Sequence, residues 1–211
     1  MIGAYFRAGG LPAFTSIPVH ELTNRAIPAE DVLGRAMADV AVRLAEANES
    51  ERIDVLESLL IERLGERCFP NTTVHVSGLA ASIEQSAGQV TIVQLAHEAG
   101  ISRQHLTRLF RERVGVTPKL YGRLARFQSG LACAGSGQAE DGAQAALALG
   151  YADQSHWIAE FKEFSGYTPH SFAARRWLHP FVERARRGQV RPPSMAHVGQ
   201  ASILETRVTG R

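Results

Sequence analysis

The back half of this sequence predicts an all-α domain built from two helix-turn-helix subdomains joined by a long linker helix. The front predicts the remnant of a strand followed by a helical hairpin. Three observations carry that expectation. One unit is written twice, as TIVQLAHEAGISRQHLTRLFRERVGVTP from Thr91 to Pro118 and as DGAQAALALGYADQSHWIAEFKEFSGYTP from Asp141 to Pro169. Gly100 matches Gly150, Phe110 matches Phe161, Gly115 matches Gly166, and Thr117-Pro118 matches Thr168-Pro169. Inside each copy, apolar residues recur at helical spacing on both sides of a glycine. Between the copies, Leu120, Leu124, Phe127 and Leu131 mark one side of a single helix from Thr117 to about Ala134.

In chain order, Ala4-Tyr5-Phe6-Arg7 reads as a short strand, which Gly9-Gly10-Leu11-Pro12 breaks. Ala13 to Ile27 has no clean period and reads as irregular, with a turn near Thr23-Asn24. Pro28 suits the first turn of a helix. Glu30 and Asp31 favour its positive end, and Leu33, Met37, Val40 and Leu44 form one stripe. After a break at Asn48 to Ser50, Ser50 caps a second helix with Ile53, Leu56, Leu60 and Leu64 on one side. The two pair most simply as an antiparallel hairpin. Residues 1–70 make this front region, and Cys68-Phe69-Pro70-Asn71 reads as the linker. Residues 72–187 make the second domain, with the last helical stretch running to about Arg187. Residues 188–211 read as a disordered basic tail.

Val76, Leu79, Ala80 and Ile83 begin the second domain with a helix. Thr91 with Gln94, and Asp141 with Gln144, are capping-box starts for the first helix of each repeat. Copy one buries Ile92, Leu95, Ala96 and Ala99 there; copy two buries Ala145, Ala146 and Leu149. Gly100 and Gly150 end these helices in a sharp left-handed turn, and Ala96 and Ala146 are small enough for a close helix crossing. Ser102 and Asp153 are cap types for the second helix. Its buried stripe is Leu106, Leu109 and Phe110 in copy one, and Trp157, Phe161 and Phe164 in copy two. Thr-Pro then opens a third helix each time. Gly130 inside the linker helix suggests close packing there.

Gly150-Tyr151, Asp153-Gln154-Ser155-His156-Trp157, Phe161-Lys162, Gly166, Thr168-Pro169, Phe172 and Arg175 resemble the signature of the AraC/XylS family of bacterial transcription regulators. The likeness covers roughly residues 72–177; Trp157 departs from it, since the family usually carries phenylalanine there. The resemblance implies duplex DNA as ligand, two recognition helices in successive major grooves, and recruitment of RNA polymerase, usually as an activator. It also makes the front region look like the end of a sensor and dimerisation domain whose small β-barrel is missing. That leaves a truncated member, a start-site artefact or a shortened regulator, and we take truncation as the expectation. A stripe left exposed on the front helices would seek another copy of the chain.

The candidate DNA-contacting residues are Ser102, Arg103, Gln104, Thr107, Arg108 and Arg111 in copy one, and Gln154, Ser155, His156 and Lys162 in copy two. Gln104, Thr107 and Arg108 share one helix face, as base-reading side chains must; arginine can fork onto guanine and glutamine onto adenine. Copy two is less polar, with Ile158 and Ala159 at outward positions, so copy one is expected to carry most of the base specificity. His105 and His156 stand near the helix starts, where contact with phosphate and a capping or packing role are both open. Lys119, Arg123 and Arg126 are read as mostly outward, as plain surface or as phosphate ligands.

Charge agrees with this division. Residues 1–71 hold 7 Lys and Arg against 11 Asp and Glu, and residues 72–187 hold 13 against 9. No apolar run approaches a membrane span and no signal peptide opens the chain, so a soluble cytoplasmic protein is expected. Neither cysteine suggests a disulfide or a zinc site, and no cofactor or metal is expected. An enzyme class, such as a DNA alkyl-repair methyltransferase, would need an activated thiol. Cys68 in a linker and Cys133 late in a helix lack a suitable neighbourhood. The other alternative is a shortened family member that dimerises with a full-length regulator and blocks it.

Overall fold

Secondary structure in the computed structural model of the protein is helical wherever it is regular among the described residues, which are 3–34, 36–66, 75–135 and 142–174. The Cys68–Asn71 linker, the Asp141 cap and everything from Arg175 onward lie outside them. The chain divides into two compact units. Among the described residues, one comprises those up to 78 together with 104–117; the other comprises 79–103 and 118–174.

In the first unit the expected strand is absent. Ala4 to Arg7 has no second strand beside it, among the described residues, to complete a ladder. Phe6 packs on Phe14 instead, with ring centroids 4.9 Å apart, and the Arg7 carbonyl accepts the Gly10 N–H in a turn. Residues expected to be irregular contain one helical turn, α1 (Val19–Leu22), whose Val19 and Leu22 are buried with Leu11 and Val32. Asn24 turns the chain at a φ of +57°.

The single helix expected from Pro28 is two, α2 (Ala29–Leu33) and α3 (Ala36–Glu46). Gly34 separates them at a φ of +92°, a left-handed bend that a side chain would resist. The following helix, α4 (Glu49–Glu66), is capped by Asn48 rather than Ser50. The Asn48 carboxamide oxygen accepts the Glu51 N–H, and the Glu51 carboxylate accepts the Asn48 N–H, both at 3.0 Å. The hairpin of α3 and α4 is present, but its seam is not the expected one. Met37, Val40 and Leu59 form the seam, with Leu44, Val55 and Leu56 beside them; Ile53 and Leu64 are exposed. Two apolar stripes ran along α4 at helical spacing, and packing on α3 selected the one through Leu59.

Helix α5 (Val76–Gln85) buries Val76, Ala80 and Ile83, and the second unit begins within it at Leu79. Next comes α6 (Ile92–Glu98), opened by the expected capping box. Gln94 N–H donates to the Thr91 hydroxyl at 3.1 Å, and Thr91 N–H donates to the Gln94 side-chain oxygen at 3.0 Å. The linker helix is α8 (Pro118–Gly135), followed by α9 (Gly142–Ala148), α10 (Gln154–Ser165) and α11 (Pro169–Ala174). Its core joins Phe127 and Ala134 of α8, Ala145, Ala146 and Leu149, and Trp157 and Phe161 of α10. Trp157 takes the usual phenylalanine's place without loss of burial, at 1% exposure. Gly130 makes room for it: a Cβ there would stand 3.1 Å from the Trp157 indole nitrogen.

Candidate nucleic-acid interface

Each repeat makes the same turn from the same bonds. In copy one the Gly100 N–H donates to His97 and the Ile101 N–H to Ala96. In copy two Gly150 donates to Leu147 and Tyr151 to Ala146, all at 2.9–3.0 Å. Gly100 and Gly150 have φ values of +65° and +78°, so the helix stops there without strain and the chain re-enters a second helix. Those second helices are α7 (Arg103–Val114) and α10.

On α7, Leu106 and Phe110 are fully buried and Val114 nearly so. The opposite surface follows from helical geometry: Arg103, Gln104, Arg108 and Arg111 are exposed, Thr107 is half-buried, and Ser102 is exposed just ahead of the helix. Gln104, Thr107, Arg108 and Arg111 therefore share one face. His105 is no bystander. Its Nδ1 lies 3.3 Å from an Arg108 Nη, so the ring braces the arginine from one turn earlier. That contact was readable as an i, i+3 pair.

On α10, the Asp153 carboxylate caps the helix by accepting the His156 N–H at 2.8 Å, and the His156 ring meets Tyr151 edge-on. Ser155, His156 and Lys162 are exposed, as is Ala159, while Ile158 is half-buried. Gln154 is exposed too, but its carboxamide lies over Gly142, where a Cβ would stand 2.2 Å from its nitrogen. This face offers fewer hydrogen-bonding groups than that of α7.

The linker-helix cations differ from expectation. Only Lys119 is exposed. Arg123 reaches Glu160 at 2.7 Å and Glu163 at 2.6 Å on α10, and its guanidinium sits 4.9 Å from the Phe164 ring centroid. The hydrogen bond to Glu160, with Glu163 in support, raises the Arg123 pKa. Arg126 donates to the Gly88 carbonyl at 3.2 Å and lies over the Tyr151 ring. Both arginines thus fasten the second unit together, with α10 held to α8 by Arg123. Burial, and then the charge of Glu160, push the Tyr151 hydroxyl far above its ordinary pKa. Lys119 and His156 meet instead at an open cleft of about 590 Å³, which Thr91 and Gln89 also line.

Cys133 packs against the second unit's core, and burial raises its thiol pKa, the reverse of what activates a nucleophile. Among the described residues no group of three metal-ligating side chains gathers, and no helix is long and apolar enough to cross a membrane. One neighbour of the α7 face gave no sequence signal: His20, from α1, lines the same cavity as Gln104 and Arg108.

A capped short helix, a left-handed glycine turn and a second helix with a polar outer face define a helix-turn-helix, the motif that presents a recognition helix to DNA. One comparison agrees. Residues 95–175 match the family model of a helix-turn-helix domain. This stretch is thus similar to helix-turn-helix domains, and the match spans less than half of the chain. Among solved structures, the C-terminal domain of the two-component response regulator YesN from Fusobacterium nucleatum is similar. It is 19% identical, with a TM-score of 0.42, over 46% of this chain and 97% of that one. No curated protein matches the chain.

Proposed function

We propose that the protein reads specific sequences in duplex DNA with α7 and α10 as its two recognition helices, and that α7 supplies most of the base discrimination. One observation carries this reading. The Gln104, Arg108 and Arg111 side chains stand exposed, with half-buried Thr107 between them, opposite a stripe buried to 3% or less. In that arrangement Arg108 can fork onto a guanine and Gln104 onto an adenine, while Arg103 and Arg111 reach phosphates. On α10, Ser155, His156 and Lys162 supply backbone contacts, Gln154 joins them once its amide leaves Gly142, and Ile158 and Ala159 suit a thymine methyl. Ser102 donates to phosphate at the start of α7.

Two recognition helices in one chain favour a long, non-palindromic site spanning about one helical turn, roughly 34 Å. Selection of binding sequences from genomic DNA, repeated with Arg108→Ala, tests the reading. Sharp base preference under α10 with none under α7 would overturn the division of labour. Activation through RNA polymerase in the cytoplasm rests on the family resemblance, and a promoter-reporter assay checks its sign.

A second reading, action through self-association or pairing with a full-length relative, is favoured by the exposed apolar residues Val42, Ile53, Ile61 and Leu64 on α3 and α4. Sedimentation of the purified chain, alone and mixed with such a relative, separates these outcomes.

A further inference from the structure

We propose that the N-terminal segment is part of the DNA-reading surface and that His20 donates a hydrogen bond to a backbone phosphate beside the groove that α7 enters. The proposal rests on the reading of α7 given above. His20, Gln104, Thr107, Arg108, Arg111 and Glu112 line one open cavity of about 530 Å³. Four of these six are the reading face itself, and His20 is the wall that another part of the chain supplies.

Two features hold that wall in place. The Thr23 hydroxyl donates to the Gly115 carbonyl just past α7 at 3.1 Å, and also lies 3.2 Å from the Val19 carbonyl. Gly115, at a φ of +97°, lets α1 approach so closely that a Cβ there would stand 2.7 Å from the Thr23 hydroxyl and 3.1 Å from Val19. Val19 and Leu22, on either side of His20, are buried to 0% and 2%, so the turn that carries the histidine is anchored.

The His20 ring is half-buried, and its Nδ1 is enclosed without a hydrogen-bond partner among the described residues. A buried N–H lacking an acceptor costs more than a buried acceptor lacking a donor. That places the proton on Nε2 and makes the ring a donor. A helix with side chains is about 10–12 Å across, and the major groove is about 12 Å wide. Phosphates therefore run along both flanks of an inserted helix. A side chain at the rim of the reading face, on a neighbouring element, meets phosphate before it meets a base. Arg108 and Arg111 outweigh the one carboxylate of Glu112, so the cavity suits an anionic backbone.

Anisotropy titrations of the full chain against a selected duplex and a random duplex test this, with His20→Ala, His20→Lys and Arg108→Ala. His20→Ala is expected to weaken both duplexes by the same factor, about tenfold, with an unchanged melting temperature. His20→Lys is expected to restore binding and to steepen the salt dependence by about one phosphate contact. Should His20→Ala also lower the melting temperature, the salt slope of His20→Lys decides. Unchanged affinity in His20→Ala, or an unchanged salt slope in His20→Lys, overturns the proposal. So does tighter binding by His20→Ala, which would make the segment a screen over the reading face. A wild-type chain that binds no duplex refutes the reading of α7 itself. Weakening in Arg108→Ala alone refutes only the role of His20.

Discussion

Gly88 and Gly122 face each other across one backbone contact, and the structure assigns opposite outcomes to substituting alanine on its two sides. Gly88 is buried in the turn after α5, at a φ of +74°, directly after Ala87 at +49°. A Cβ on Gly88 would stand 2.0 Å from the Gly122 carbonyl oxygen and 2.8 Å from its carbon, both backbone atoms of α8. An ordinary carbon–oxygen contact is about 3.3–3.6 Å, so α8 or the turn must move by more than an ångström. The left-handed backbone costs alanine about 1–2 kcal/mol, and overpacking a rigid neighbour adds about 1–3 kcal/mol.

A displaced turn also strains the Arg126 bond to the Gly88 carbonyl. Gly88→Ala should therefore lose about 3–5 kcal/mol, a large share of the roughly 5–15 kcal/mol that holds a domain together. From the other side, a Cβ on Gly122 meets Gly88 no closer than 3.6 Å. Gly122 lies inside a helix, where alanine is better by about 1 kcal/mol, so Gly122→Ala should be neutral or stabilising. Urea unfolding followed by circular dichroism measures both. A loss below about 1 kcal/mol in Gly88→Ala, or equal losses in the two variants, would refute the geometry.

Arg108→Ala should cost about 1–3 kcal/mol at one base position and relax preference there, whereas Lys162→Ala should weaken all sequences alike and reduce the salt slope by about one. Competition titrations with single-base variants distinguish the two. A double-mutant cycle on Arg123 and Glu160 should return about 1–2 kcal/mol of coupling, because the carboxylate is buried but the arginine side chain is 29% exposed. The cycle with Glu163, 58% exposed, should return about 0.5 kcal/mol or less. Tyr121 and Tyr151 both have folded pKa values raised by burial above the unfolded value near 10. Their contribution is thus complete below about pH 10 and is lost as pH rises further, by up to about 1.4 kcal/mol per unit for each. Tyr151→Phe should flatten the alkaline limb of a stability–pH curve, and an unchanged limb would count against the burial. Ile61→Glu should shift any self-associated species toward monomer in sedimentation, with the proposed DNA contacts on α7 untouched.

What was legible in the sequence is what is encoded within a few residues. Thr91 and Gln94 cap α6 because they stand three apart, and Gly100 and Gly150 turn because only glycine takes that backbone cheaply. The polar face of α7 follows by subtraction, since a helix that buries Leu106 and Phe110 must show Gln104, Thr107, Arg108 and Arg111 elsewhere. What was not legible depends on which elements become neighbours. Nothing local distinguishes Arg123, held by two carboxylates 37 and 40 residues away, from Lys119, which stays exposed. The α4 seam was ambiguous for the same reason: two stripes satisfied one period, and only α3 could choose between them. Gly34 is the instructive miss, because the breaker was in plain view and the stripe across it, Leu33, Met37, Val40, looked continuous. A three-and-four spacing survives a bend when both halves pack on the same core, as Leu33 does against the cluster of Met37, Val40 and Leu59. Periodicity therefore reports a shared buried side and says nothing of an unbroken axis. The role proposed for His20 would extend the point to function, since a contact surface assembled from distant segments leaves its distant members looking like ordinary residues of an irregular stretch.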